Sequence, residues 1–215
     1  MHLKRQKSPK KWPINRKGTK YVVRPNFSIN DGVPLLLFLR DMLKIVENRK
    51  EIKVALHNKH ILLNDKPARD DKNTVLLFDK VTIVPSNKYY ELNLSEFGKF
   101  KANEISESSS HQKISKIKDK KILKGKKTQL NLSDGRNVLS DISCKVNDSI
   151  LFDFKSKKIV KCMPLKENAD VIVFAGKHTG NYGKIKKIEN EKKMVELETN
   201  TGKINALIKQ ILVLQ

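Results

Sequence analysis

The first 28 residues carry nine lysines and arginines and not one acidic side chain. With Pro9, Pro13 and Pro25 and few aliphatic residues, this stretch has too little apolar surface to offset the entropy of ordering, so it is expected to be disordered on its own. The whole chain of 215 residues sets 45 Lys and Arg against 23 Asp and Glu, a formal net charge of +22. Self-repulsion on that scale destabilises a compact state unless an anionic partner neutralises it, and nucleic acid is the commonest such partner. Trp12 and Tyr21 stand among the arm's cations. Phosphates bind cations with release of counterions, and aromatic rings stack on bases.

Charge also divides the rest of the chain. Residues 29–92 hold eleven basic and nine acidic groups, residues 93–166 seventeen against eight, and residues 167–215 eight against six. Eight of the lysines in the middle stretch fall between Lys113 and Lys127. The expected organisation is a basic arm (1–28), a balanced module (29–92), a basic module (93–166) and a second balanced module (167–215). No stretch approaches the roughly 20 apolar residues of a membrane-spanning helix. The N-terminus lacks the apolar centre of a secretory signal. Two cysteines, Cys144 and Cys162, build neither a disulfide framework nor a zinc tetrad. A soluble intracellular protein without a membrane partner is expected.

In the first module Leu35, Phe38, Leu39, Met42 and Val46 fall at helical spacing behind Pro34, which suits a first helical turn. Asn48 with Glu51 has the pattern of a capping box, opening a second helix over Arg49 to Asn58. On that helix Ile52, Ala55 and Leu56 share one face, while Arg49, Lys53 and His57 share another with Lys50 alongside. Ile61 to Leu63 reads as a strand, Asn64-Asp65-Lys66-Pro67 as a turn, and Val75 to Val84 as further strand. Two short helices, this turn and a strand resemble the small RNA-binding fold named for bacterial ribosomal protein four. The resemblance implies an RNA face of Arg49, Lys50, Lys53, His57, Lys59, Lys66 and Arg69.

From Leu92 to Leu165 short alternating apolar pieces predict a small, mostly antiparallel β module, with Asp134-Gly135 as a hairpin turn. Glu104 to Gln112 reads as an exposed loop or short helix, and Lys145 to Asp148 as a turn. Whether the lysines of 113–127 touch RNA is left open by their spacing. From Asp170 a hydrophobic strand runs to Gly176, a loop contains Gly180 and Gly183, and alternating strands resume over Met194 to Thr199 and Lys203 to Leu214. This pattern resembles the KOW motif, an SH3-like barrel, whose loop implies contacts from Lys177, His178, Asn181 and Tyr182.

The order of these parts resembles the small-subunit ribosomal protein four-e family over essentially the whole chain. It is carried by His2 to Arg5, Pro9 to Ile14, Arg16-Lys17, Pro34 to Lys44, Asn64 to Lys66, Gln129 to Asn137, Lys145 to Asp148 and the glycine loop at Gly176 to Gly183. The ending at Leu212-Val-Leu-Gln215 leans toward the archaeal type, while the excess of 38 Lys over 7 Arg departs from bidentate arginine recognition. The resemblance implies an α+β, multi-module fold: basic arm, small α/β module, central β module and C-terminal SH3-like barrel. It implies a cytoplasmic ribosomal constituent, one copy per small subunit without homo-oligomers, bound to small-subunit rRNA and to neighbouring proteins. In the arm the expected RNA contacts are Lys4, Arg5, Lys7, Lys10, Lys11, Trp12, Arg16, Lys17, Lys20 and Arg24. No catalytic residue, metal or cofactor is expected. Asp70-Asp71 reads as turn-forming, His57 and His60 lack a ligand set, and the cysteines read as small buried hydrophobes. The alternatives are an RNA-modifying enzyme, which needs a larger catalytic domain, and a KOW-type transcription or ribosome-assembly factor, which does not call for the arm.

Overall fold

The computed structural model describes residues 2–140, 142–189, 191–199 and 202–214, in an α+β architecture dominated by antiparallel strands. The chain divides into two compact units, Met1–Ser95 with Lys99–His111, and Glu96–Gly98 with Gln112–Gln215.

In the first unit the arm is folded. Strand β1 (Leu3–Lys4) pairs antiparallel with β2 (Tyr21–Val22), Leu3 opposite Val22. Trp12 is 3% exposed, and its indole N–H donates to Gly32 O at 2.8 Å. The Lys11 carbonyl accepts from Phe100 N at 2.9 Å. The expectation of disorder concerned the segment on its own; within the whole chain the arm is folded. Leu3 and Trp12 are both buried, and Trp12 reaches Gly32 beyond the arm, an anchor that the arm's own composition does not contain.

Strand β3 (Gly32–Pro34) leads into α1 (Leu35–Leu37), which continues as a π-helical turn over Phe38–Met42. Leu35 to Leu39 are each at most 1% exposed, so this helix is enclosed on all sides rather than amphipathic. It stops short of Val46, because Lys44 takes a φ of 54°. Helix α2 (Arg49–His57) forms as expected, with Ile52 and Leu56 inward. Its cap differs from the box: Asn48 bonds no helix N–H, while Glu51 Oε2 accepts from Glu47 N at 3.0 Å.

Next in the chain come β4 (Ile61–Leu63), β5 (Lys66–Pro67), β6 (Thr74–Leu76), β7 (Lys80–Ile83), β8 (Lys88–Leu94) and β9 (Phe100–Ile105). They form an antiparallel sheet in the order β5-β4-β7-β8-β9, with β6 paired to β3. Asn64 and Asp65, at φ of 52° and 61°, make the tight turn from β4 to β5, a conformation that Asn and Asp tolerate. A short α3 (Glu107–Ser110) stands in the stretch expected as loop or short helix.

The second unit holds two antiparallel sheets. Strands β10 (Gln112–Ile122), β11 (Thr128–Leu132), β12 (Asn137–Leu139), β13 (Ser149–Asp153) and β14 (Ile159–Met163) lie in the order β12-β11-β10-β13-β14, with the hairpin at Asp134-Gly135 in place. Strands β15 (Asp170–Val173), β16 (Tyr182–Glu189), β17 (Met194–Thr199), β18 (Gly202–Leu207) and β19 (Ile211–Val213) lie in the order β18-β17-β16-β15-β19. Among the described residues no ladder joins β18 to β19, so the closed barrel expected of this segment is not seen. The sheet is nonetheless curled. Four inter-strand spacings would separate the edges of a flat sheet by about 19 Å. The 3₁₀ turn Ile208–Gln210 links those same edges, and its four Cα steps span at most about 15 Å. Inside the curl, Val171, Ile185, Leu197 and Ile211 pack with Met163, while Ile117, Leu130, Ile150 and Cys144 form a second cluster.

Candidate nucleic-acid interface

In the first unit, the inward anchoring of α2 by Ile52 and Leu56 turns Lys53 and His57 toward the β4–β5 hairpin, whose strand β5 begins at Lys66. Lys53, His57, Lys59, Lys66 and Arg69 thereby line one open groove of about 820 Å³, floored in part by Pro67 and Ala68. All five side chains are exposed. Two carboxylates border the groove, and both are occupied. Asp71, 3% exposed, accepts from Arg49 Nε at 2.7 Å and from its terminal nitrogen at 3.2 Å. Asp70 accepts from Lys72 N at 3.3 Å and Asn26 Nδ2 at 3.4 Å, the turn role expected of it. Counting Arg49, five fixed cations face two carboxylates, which suits a phosphate backbone. Lys50 is exposed on α2 but does not line the groove. Asp71, expected together with Asp70 to make turn hydrogen bonds, instead accepts from Arg49 and holds it in place.

The arm sorts its residues differently from the expected set. Lys4, Lys7, Lys10, Arg16, Lys17 and Lys20 are exposed. Arg5 is turned onto the arm's own loop, donating to Thr19 O at 2.7 Å, Asn15 O at 2.8 Å and Thr19 Oγ1 at 2.8 Å. It is scaffold first, with three of its five N–H groups committed. Lys11 and Arg24 are half-buried, and burial lowers the Lys11 ammonium below the ordinary lysine range against the pull of Asp31. Trp12 is a correction: a ring 3% exposed cannot stack on a base. A ring that can is Tyr21, 47% exposed, 5.2 Å from the His2 ring and with Lys20 Nζ 5.6 Å from its centroid.

In the second unit the glycine loop is tightly built. Gly180 N donates to Val173 O at 2.8 Å, and Val173 N to Asn181 O at 3.0 Å. Gly176 and Gly180 take φ of 93° and 96°, and a Cβ on Gly183 would meet Glu198 O at 2.5 Å. Lys177 and Tyr182 are exposed, while His178 and Asn181 are half-buried.

The lysine run from 113 to 127 splits in two. Lys113, 3% exposed as a side chain, pairs with Asp134 at 3.1 Å. Burial pushes the Asp134 carboxyl up, but Lys113 and Arg136 outweigh it and hold the group below its ordinary range. Lys116 is 4% exposed and donates to the carbonyls of Ile208 and Ile211, the latter at 2.7 Å, fastening the turn between β18 and β19. Burial lowers its pKa from 10.5 to about 8. Below about pH 8 both folded and unfolded chains hold this proton and the desolvation cost is full; above 10.5 neither holds it. Stability is therefore expected to rise by about 3 kcal/mol between those values. The gain should appear as a difference between the unfolding curves of the intact chain and Lys116→Met; superimposable pH profiles would rule it out.

Cys144 is buried and Cys162 partly so, and burial with the neighbouring Cys144 pushes the Cys162 thiol up to about 12, far from a nucleophile's range. Among the described residues no three His, Cys, Asp or Glu side chains gather as a metal site, and no helix is long and apolar enough to cross a membrane.

Comparison with known proteins adds three findings. The family model of Ribosomal family S4e matches residues 86–159, and that of the RS4NT domain matches residues 1–27. Small ribosomal subunit protein eS4 of Methanothermobacter thermautotrophicus is 34% identical over 209 residues, covering 94% of this chain and 86% of the relative. Its counterpart in Methanocella arvoryzae is 37% identical over 191 residues, covering 87% and 81%. The crystal structure of 30S ribosomal protein S4e from Thermoplasma acidophilum superposes with a TM-score of 0.73 at 24% identity, over 86% of this chain and 95% of that one.

Proposed function

The chain belongs to the ribosomal S4e family, and from that premise we propose that it is a structural, non-enzymatic constituent of the small ribosomal subunit in the cytoplasm, bound to small-subunit rRNA and to neighbouring ribosomal proteins. The observation that carries the reading is the groove, where Lys53, His57, Lys59, Lys66 and Arg69 converge with their nearest carboxylates already engaged. Phosphates fill such a groove by releasing counterions. The exposed arm cations Lys4, Lys7, Lys10, Arg16, Lys17 and Lys20 add backbone contacts, and Tyr21 with His2 offers a ring face to an unpaired base. Lys50 extends the groove's field, half-buried Lys11 and Arg24 add to the arm's contacts, and Arg5 and Arg49 hold the surfaces that present these groups. Lys177, His178, Asn181 and Tyr182 form a further contact on the glycine loop.

In this reading residues 1–28 are the arm, 29–92 the four-type RNA module, 93–166 the central β module and 167–215 a KOW-type, SH3-like curl left open at one seam. The succession α1, α2 and the β4–β5 turn supports the second assignment, and the five-stranded ladder with its glycine loop supports the last. One copy binds per subunit, without self-association. The test is the salt dependence of binding to small-subunit rRNA of Methanothermobacter thermautotrophicus. A chain neutralising about eight phosphates gives a log–log slope near −7. A slope near zero would contradict polycation binding.

A further inference from the structure

We propose that the far end of the β10–β11 hairpin is a separate rRNA-contacting finger, its lysines on phosphates and Ile122 against a ribose or base face; this rests on the rRNA-binding reading above. The burial of β10 changes abruptly along its length. From Lys113 to Ile117 the strand is largely buried and pairs mainly with β13, whereas Lys118 to Ile122 are all exposed and pair with β11 alone. The register slips between Ile117 and Asp119, which places an extra residue at Lys118; such a bulge sharpens the local twist. Beyond it lie Lys118, Lys121, Lys124 and Lys127, all exposed. Asp119 is the one acid between Lys113 and Ser133, and its carboxylate accepts from Lys120 N at 2.8 Å. Strand β11 contributes no acid, so the cations lack a cross-strand counter-charge. At the end of the strand Ile122 is 74% exposed, next to a turn where Gly125 takes a φ of 79° with nothing within 4 Å of where its Cβ would be.

Lysines on an edge strand also discourage strand addition between molecules. That role does not account for a large aliphatic side chain held out at the tip, which raises the risk the lysines would lower. A polyanion with exposed sugar and base faces satisfies both features at once: phosphates for the four cations and an apolar face for Ile122. An acidic protein surface would offer the charge without the periodic backbone.

Full-length chains are compared by filter binding to the same transcribed rRNA. One variant carries Lys118, Lys121, Lys124 and Lys127 changed to Gln. A control carries the same loss of charge at exposed Lys155, Lys158, Lys161 and Lys166. Thermal melts confirm that both are folded. The finger variant is expected to lose roughly a hundredfold or more in affinity at 0.1 M salt, with a slope shallower by about 3. The control is expected to lose a few-fold at most. Ile122→Ser is expected to lose several-fold with its slope unchanged, a result that charge alone does not produce. Equal losses in finger and control variants would overturn the proposal. So would a finger variant that binds naked rRNA like the intact chain but fails to enter small subunits, which would make the surface a protein contact. If the intact chain itself does not bind, the rRNA reading fails first.

Discussion

Changing Lys53, Lys59, Lys66 and Arg69 together to Gln is expected to weaken binding to small-subunit rRNA about a thousandfold at 0.1 M salt, with the log–log slope falling by roughly 3 units. Each phosphate neutralised contributes about 0.7 to 0.9 to that slope, so four lost contacts remove about 3. The loss should shrink toward nothing near 1 M salt, where counterion release no longer favours binding. Stability is expected to stay within about 0.5 kcal/mol, because all four side chains are exposed and carry no core packing. Unchanged affinity in the fourfold variant would remove the groove from the interface.

Changing Trp12 to Ala is expected to destabilise the first unit by about 3–5 kcal/mol, the cost of emptying a large aromatic site in a packed interior. Trp12→Phe, which keeps most of the packing but orphans Gly32 O, should cost about 1–2 kcal/mol. Native-state hydrogen exchange should show Leu3, Lys4, Tyr21 and Val22 losing protection first, since their pairing depends on the arm's being held down. Tyr21→Leu reverses the pattern, with stability nearly unchanged and affinity for single-stranded RNA reduced several-fold. A Trp12→Ala chain as stable as the parent, yet poor at binding, would restore Trp12 to the RNA surface.

These contrasts mark what local sequence can and cannot carry. The face of α2 was legible because Ile52 and Leu56 sit one turn apart and the cations fall between them. Closure of the groove by Lys66 and Arg69 was reached through family resemblance, since periodicity says nothing of how a hairpin seats against a helix. Trp12 misled for a definite reason. An aromatic among cations looks the same whether it stacks on a base or donates its indole N–H to Gly32 O, and the partner lies twenty residues away. The lysines of 113–127 were ambiguous because one slip of register separates buried Lys113 and Lys116 from exposed Lys118 and Lys121. The last segment's strands were marked by alternation and by glycines whose φ no other residue takes easily. Whether their edges join is set by side chains packed inside the curl, not by any strand's own pattern.

The most direct measurement is sedimentation of a tagged chain, expressed at native level in its own cells, through a sucrose gradient at low and moderate salt. The chain is expected to travel with the small subunit at about one copy per particle and to leave it only as salt approaches molar concentration. A chain found mainly at the top of the gradient, or with the large subunit, would contradict its place in the small one.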